Sequence, residues 1–127
     1  MASATKVKTG LTKKILVVED EGEIALVLDM ILNDKKLQPD YVNTLLAANE
    51  YLANQQPSLI ILDNKLPDGF GVDFISYVKK KYPSIKIIMI TGFATARDVA
   101  IANGADMFFE KPFSLDEFYE AIDRLLA

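Results

Sequence analysis

The chain alternates between short apolar runs and longer segments of mixed polarity. Ile15-Leu-Val-Val18, Leu59-Ile-Ile-Leu62, Ile85-Lys-Ile-Ile-Met-Ile90 and Met107-Phe-Phe109 are solid or nearly solid in apolar residues. A strand with one wet face alternates polar and apolar positions, so solid runs predict strands covered on both faces. Pro39-Asp-Tyr-Val-Asn43 is a more polar fifth strand, suited to a sheet edge. Between the runs, apolar residues recur at helical spacing over Glu21 to Asp34, Leu45 to Asn54, Phe70 to Tyr82, Ala96 to Asn103 and Leu115 to Leu126. Asp20-Glu-Gly-Glu23, Thr95-Ala-Arg-Asp98 and Ser114-Leu-Asp-Glu117 resemble the capping boxes that open helices. Five strand-helix alternations predict an α/β sandwich, with a five-stranded parallel sheet between helices and right-handed crossovers.

In an open α/β sheet, ligands bind beyond the carboxyl ends of the strands. Those ends are where this sequence changes character. The first strand runs into Glu19 and Asp20, the third into Asp63, the fourth into Thr91, and the fifth into Glu110-Lys111-Pro112. Parallel strands bring these groups to one edge, so three carboxylates, a hydroxyl and an ammonium are expected to converge. At an effective dielectric near 20, each pair of carboxylates about 4 Å apart costs roughly 4 kcal/mol, so the cluster calls for a cation. Mg²⁺ suits it, because it favours oxygen ligands and takes one or two carboxylates with waters and a phosphate oxygen. Asp63 is then placed to act as a nucleophile forming an aspartyl phosphate. Lys111 would neutralise charge on the transferring group, and Thr91 would hydrogen-bond one of its oxygens.

Composition narrows the chemistry further. At 127 residues, with 50% hydrophobic and 25% charged, the chain has the size of one domain. It holds no cysteine and no histidine, which removes disulfides, thiolate and Ser-His-Asp nucleophiles, and any phosphohistidine of its own. A net charge of −4 with scattered basic residues gives no reason to expect nucleic acid as a direct partner. Residues 1–14 carry four lysines and no acid, without the apolar stretch of a secretory signal, and read as a flexible leader before a domain over 15–127. No apolar run reaches the eighteen or so residues needed to span a bilayer, so no membrane partner and a cytoplasmic location are expected.

Ile15-Leu-Val-Val-Glu-Asp-Glu21, Leu62-Asp-Asn-Lys-Leu-Pro-Asp-Gly69, Ile90-Thr-Gly92 and Gly104-Ala-Asp-Met-Phe-Phe-Glu-Lys-Pro-Phe113 resemble, in order, the successive signatures of two-component response regulator receiver domains. The resemblance covers roughly residues 14 to 126 and implies a flavodoxin-like (βα)5 fold of strand order 2-1-3-4-5. It implies a signalling switch that catalyses its own phosphorylation and more slowly loses the group to water, not an enzyme acting on a separate substrate. The donor would be a sensor histidine kinase or a histidine phosphotransfer protein, and the signal would pass to a downstream protein that the sequence does not name. By position, Glu19 and Asp20 match the acidic metal pair, Asp63 the phosphoacceptor, Thr91 the switch hydroxyl and Lys111 the lysine of the site. The main-chain carbonyl of Lys65 matches the remaining protein ligand of Mg²⁺, for which Mn²⁺ is an expected substitute. Phe108 matches the aromatic switch position, and the Lys111-Pro112 bond is cis in the family, a state of only about 5–6% of X-Pro bonds generally.

Several positions depart from the commonest pattern. Glu19 stands in place of Asp, and Phe108 in place of Tyr, so an inward swing of that ring gains no hydroxyl hydrogen bond. The stretch from Thr91 to Gly104 is shorter than usual, which bears on the fourth helix, part of the family's output surface. Lys65 and Phe93 flank the expected water path to Asp63.

Plainer roles compete for these residues. Asp20 is equally suited to capping the first helix. An isolated Asp after a strand is most often a turn residue, and Thr91 and Lys111 taken singly read as a turn hydroxyl and a solvated lysine. Convergence is what distinguishes them. Phe108 is as well suited to plain core as to a switch. Gly69-Phe-Gly71 lacks the third glycine and the strand context of a dinucleotide loop. A phosphohydrolase of the haloacid dehalogenase type wants a carboxylate two residues after the nucleophile, where this chain has Lys65. A degenerate receiver, signalling without phosphorylation, would not need the acidic pair, Asp63, Thr91 and Lys111. On the first helix Ile24, Val27, Leu28 and Ile31 form the core face, while Leu26 and Met30 add a second apolar stripe, either covered by a loop or open to a docking helical bundle.

Overall fold

The structure is a computed structural model that describes residues 13–20, 22–34 and 37–127. Strand β1 (Lys14–Val18) leads to helix α1 (Gly22–Asp34), β2 (Gln38–Val42), α2 (Leu45–Asn54) and β3 (Leu59–Asp63). Helix α3 (Gly71–Lys81), β4 (Lys86–Thr91), α4 (Arg97–Asn103), β5 (Met107–Glu110) and α5 (Leu115–Leu126) complete the order. All four strand pairings of the sheet are parallel, in the order β2-β1-β3-β4-β5, with the polar strand at an edge as its composition predicts.

Alternate residues of the solid runs serve opposite layers. Ile15, Val17, Leu59, Ile61, Ile88 and Ile90 pack with Leu28, Ile31 and Leu32 of α1 and Phe118, Ala121 and Ile122 of α5. Leu16, Val18, Ile60, Leu62, Ile87 and Met89 pack on the other face with α2, α3 and α4. Full burial of each such aliphatic side chain contributes about 1.5–3 kcal/mol, which is why the runs have no polar alternation. Phe118 lies edge-on to Phe109, ring centres 5.4 Å apart, and helps seat α5 against β5.

Two expectations need correction. Lys14, expected to be the last residue before the domain, is the first of β1 and pairs with Gln38, and Lys13 accepts the Gln38 N–H through its carbonyl. Backbone pairing requires no apolar side chain, so the composition of the segment misplaces its end; residues 1–12 lie outside the described residues. Thr95 does not cap α4. A 3₁₀ turn over Ala94–Ala96 feeds the helix directly, Thr95 lies inside it, and the capping position is Ala96, with no side-chain cap. An N-cap needs an extended backbone, whereas Ala96 is already helical, at φ −77° and ψ −10°. Ser114 does cap α5, its hydroxyl accepting the Glu117 N–H at 3.3 Å. The Asp20 box depends on Glu21 and the Glu23 side chain, which lie outside the described residues.

Candidate functional site

Three strands end on polar residues at the same edge of the sheet. Asp63 is the last residue of β3, Thr91 the last of β4, and Glu110-Lys111 follow from β5. Asp63 pairs with Ile90 and Thr91 with Glu110, so the register lines up these ends. The Lys111 N–H bonds the Thr91 carbonyl at 2.9 Å, extending the β4-β5 pairing by one residue, and the Lys111-Pro112 bond is cis, as in the family the sequence resembles.

Asp63 is buried at 6% exposure, and each of its carboxylate oxygens has a partner. Oδ2 lies 3.1 Å from the Lys111 ammonium, and Oδ1 accepts the N–H of Asn64 at 2.7 Å. Thr91, 1% exposed, accepts the Phe93 N–H through its hydroxyl oxygen at 3.2 Å. Asp20, Asp63, Thr91 and Lys111 line one open cleft of about 490 Å³, with Lys65, Leu66, Pro67, Gly92 and Phe93 on its rim.

Glu19 does not line this cleft but shares one neighbouring hollow with Asp20 and another with Asp63. Glu19 lines the first with Gly22, Ala25, Tyr41, Val42 and Asn43, and the second with Leu28, Ile61, Ile90 and Lys111. Its N–H bonds the Val42 carbonyl at 3.1 Å, which keeps the residue in the strand pattern one step past β1. Among the described residues, no three acidic side chains are close enough together to hold a metal. The donor set open to the cleft is therefore the carboxylates of Asp20 and Asp63. Two carboxylates on a wet cleft match what Mg²⁺ takes from proteins, leaving its other positions to water and phosphate oxygen.

Other predicted residues lie around this centre. Phe93 is exposed at the cleft rim, as is Lys65. Phe108 lines no part of the cleft; it packs partly buried against the α2-α3-α4 layer, with the Arg97 guanidinium 5.6 Å from its ring centre. Leu26 and Met30 project from α1 at 72% and 74% exposure, so no described loop covers them. Leu28 and Ile31 are buried in the core, while the side chains of Ile24 and Val27 lie outside the described residues.

The sequence reading missed the residues that build the loop after Asp63. Lys65-Leu66 pairs antiparallel with Gly69-Phe70. Asp68 at the tip accepts the N–H groups of Leu45 and Leu46, both at 2.9 Å, and so caps α2 from another segment; these two bonds hold its carboxyl below the ordinary range. Thr44 adds a local cap through the Ala47 N–H at 3.0 Å. Asn64, 7% exposed, caps α3 by accepting the Val72 N–H at 3.1 Å. The only sequence signal for these roles is a run of capping residue types in a loop, which does not say which helix each will serve.

A model of the response regulator receiver domain matches residues 15–123. Among curated proteins, response regulator protein PilR of Pseudomonas aeruginosa is 31% identical over 112 residues, 87% of this chain and 25% of PilR. Sporulation initiation phosphotransferase F of Bacillus subtilis is 27% identical over 118 residues, 91% of this chain and 95% of that protein. Among solved structures, response regulator protein TrrA of Thermotoga maritima, in complex with Mg(2+)-BeF, superposes with a TM-score of 0.82 at 30% identity. That superposition covers 90% of this chain and 99% of the TrrA chain. The chain thus spans a quarter of PilR but nearly all of the phosphotransferase.

Proposed function

This chain belongs to the response regulator receiver domain family, and on that premise we propose that Asp63 accepts a phosphoryl group from a phosphohistidine of a sensor histidine kinase or a histidine phosphotransfer protein. The observation that carries the reading is the Asp63 carboxylate, buried at a strand end, 3.1 Å from the Lys111 ammonium and open to the same cleft as Asp20 and Thr91. A carboxylate oxygen attacks phosphorus, the P–N bond of the donor breaks, and its electron pair returns to the donor's imidazole. Lys111 stands beside the attacking carboxylate and offsets the charge that gathers on the phosphoryl oxygens. The Thr91 hydroxyl, one peptide away across the sheet, is the hydrogen-bond partner for the group once it is on Asp63.

Mg²⁺, with Mn²⁺ as the expected substitute, would be held by the carboxylates of Asp20 and Asp63 and the main-chain carbonyl of Lys65, and would supply further neutralisation of phosphoryl charge. Glu19, the other member of the acidic pair, adds negative charge next to Asp20 and Asp63. Lys65 and Phe93 at the rim govern access of the water that hydrolyses the aspartyl phosphate. Thr91 and Phe108 pass the change to α4 and β5, which serve an unidentified downstream protein. Leu26 and Met30 present an apolar stripe for the donor's helical bundle. Residues 15–127 form the receiver unit.

The test is intact-mass analysis after incubation with acetyl phosphate, with and without Mg²⁺. A single phosphoryl adduct that needs the metal and is absent from Asp63→Asn is the expected result. No adduct under any of these conditions would leave a receiver fold that signals by contact alone.

A further inference from the structure

The turn after β3 contains an arrangement that the family assignment does not supply. Helix α3 begins with N–H groups that have no partner within the helix, and Phe70, at its capping position, makes no side-chain cap bond. One residue satisfies two of them from the strand end. The Asn64 carbonyl accepts the Gly71 N–H at 2.6 Å, and the Asn64 side-chain oxygen accepts the Val72 N–H at 3.1 Å. Because both partners are donors, the side-chain atom facing Val72 must be the amide oxygen. Alternation along β3 places Leu62 in the α2-α3-α4 layer and Ile61 in the α1-α5 layer, so Asn64 faces α3 while Asp63 faces away from it.

The same residue also holds Asp63. Its own N–H bonds Asp63 Oδ1 at 2.7 Å, and that N–H belongs to the peptide joining the two residues. The carbonyl end of this peptide packs against Gly71 so closely that a Cβ there would lie 2.3 Å from the Asp63 oxygen. On the far side of the turn, the Asn103 side chain of α4 donates to the Val72 carbonyl at 2.7 Å. The peptide plane is therefore clamped at both ends, and with Oδ1 held by the backbone, Oδ2 is the oxygen next to Lys111.

We propose that Asn64 is a positioning residue for Asp63: by joining the strand end to the first turn of α3, it fixes the peptide whose N–H sets the rotation of the Asp63 carboxylate. This rests on the phosphoacceptor reading of Asp63 but concerns a side chain outside the cleft. It makes Asn64 a determinant of rate and not of donor binding.

The experiment compares wild type, Asn64→Leu, which keeps size and removes the acceptor, and Asn64→Asp, which keeps an acceptor in the same place. Asn64→Ala replaces the leucine variant if circular dichroism shows the latter unfolded. In Asn64→Leu the limiting rate of phosphorylation by acetyl phosphate in Mg²⁺ falls about tenfold, with the half-saturating concentration little changed, as expected for a displaced reacting group. The residue-64 amide proton, shifted downfield in wild type by its carboxylate partner, moves upfield in Asn64→Leu and stays in Asn64→Asp. An unmoved amide, or an unchanged limiting rate, in a folded Asn64→Leu overturns the proposal. If wild type itself takes no phosphoryl group, the phosphoacceptor reading fails, while the amide comparison still decides whether Asn64 holds Asp63.

Discussion

Gly71 and Asp63 approach so closely that a Cβ on the glycine would fall 2.3 Å from the aspartate's main-chain carbonyl oxygen. That atom is backbone and cannot swing aside, and Leu62 and Met89 close the other directions at 3.0 Å. Gly71→Ala is therefore expected to push α3 off the end of β3, costing about 1–3 kcal/mol, the usual range for overpacking. Chemical denaturation gives the loss, and phosphorylation by acetyl phosphate should slow with it. Gly22→Ala serves as the comparison, since its Cβ would meet nothing within 4 Å. Equal stability of the two variants would show that the β3-α3 contact yields easily.

Lys111 is the cation paired with the buried Asp63 carboxylate. Removing one member of a buried pair costs about 3–5 kcal/mol, and because the lysine side chain keeps 20% exposure we expect a smaller loss, about 2 kcal/mol, in Lys111→Met. The loss should shrink when Asp63→Asn is also present, because the buried side chain at position 63 is then neutral. Phosphorylation should fall by about two orders of magnitude in the single variant, as when an oxyanion donor is removed. An additive double variant would mean that the pair contributes nothing in solution.

Asp68 predicts a pH dependence. Its carboxyl sits below the ordinary value of 3.8 because the ionised form accepts the Leu45 and Leu46 N–H groups. The folded state thus binds the proton less readily than the unfolded chain. The resulting stability is present above the ordinary value and is lost as pH falls through the lower folded one. The melting-temperature difference between wild type and Asp68→Ala should be constant near neutrality and close below 3.8. A difference that persists at the acid end would point to packing of the loop and not to the carboxylate.

Leu26 is 72% exposed on α1, so its replacement by serine should change stability by no more than about 0.5 kcal/mol. Phosphorylation by acetyl phosphate, which needs no docking, should be unaffected in Leu26→Ser. Transfer from a protein donor should slow. Equal transfer kinetics from the donor would remove this stripe from the proposed docking surface.

The order of elements, the two-faced burial of the strands and the placement of Asp63, Thr91 and Lys111 at strand ends were legible in the amino-acid pattern. Burial on both faces demands solid apolar runs, and a parallel sheet brings strand ends together whatever the loops do. The pattern was silent where one segment completes another. Asp68 caps α2 and Asn64 caps α3, yet each sits in a loop where its residue type predicts only a local turn. Thr95, a good capping type, caps nothing, because the chain before α4 is already helical.

Glu19 and Asp20 mark the same boundary. As neighbours they read as one acidic pair, and they share a hollow, but only Asp20 also lines the cleft. Glu19 lines a second hollow with Asp63, Lys111 and Leu28 of α1. The sequence by itself determined which chemical groups this receiver carries and which edge of the sheet they share. Only the tertiary structure decided which oxygen of Asp63 meets Lys111 and which is held by the backbone, because that choice depends on hydrogen bonds between β3, α3 and β5, segments whose approach no local pattern encodes.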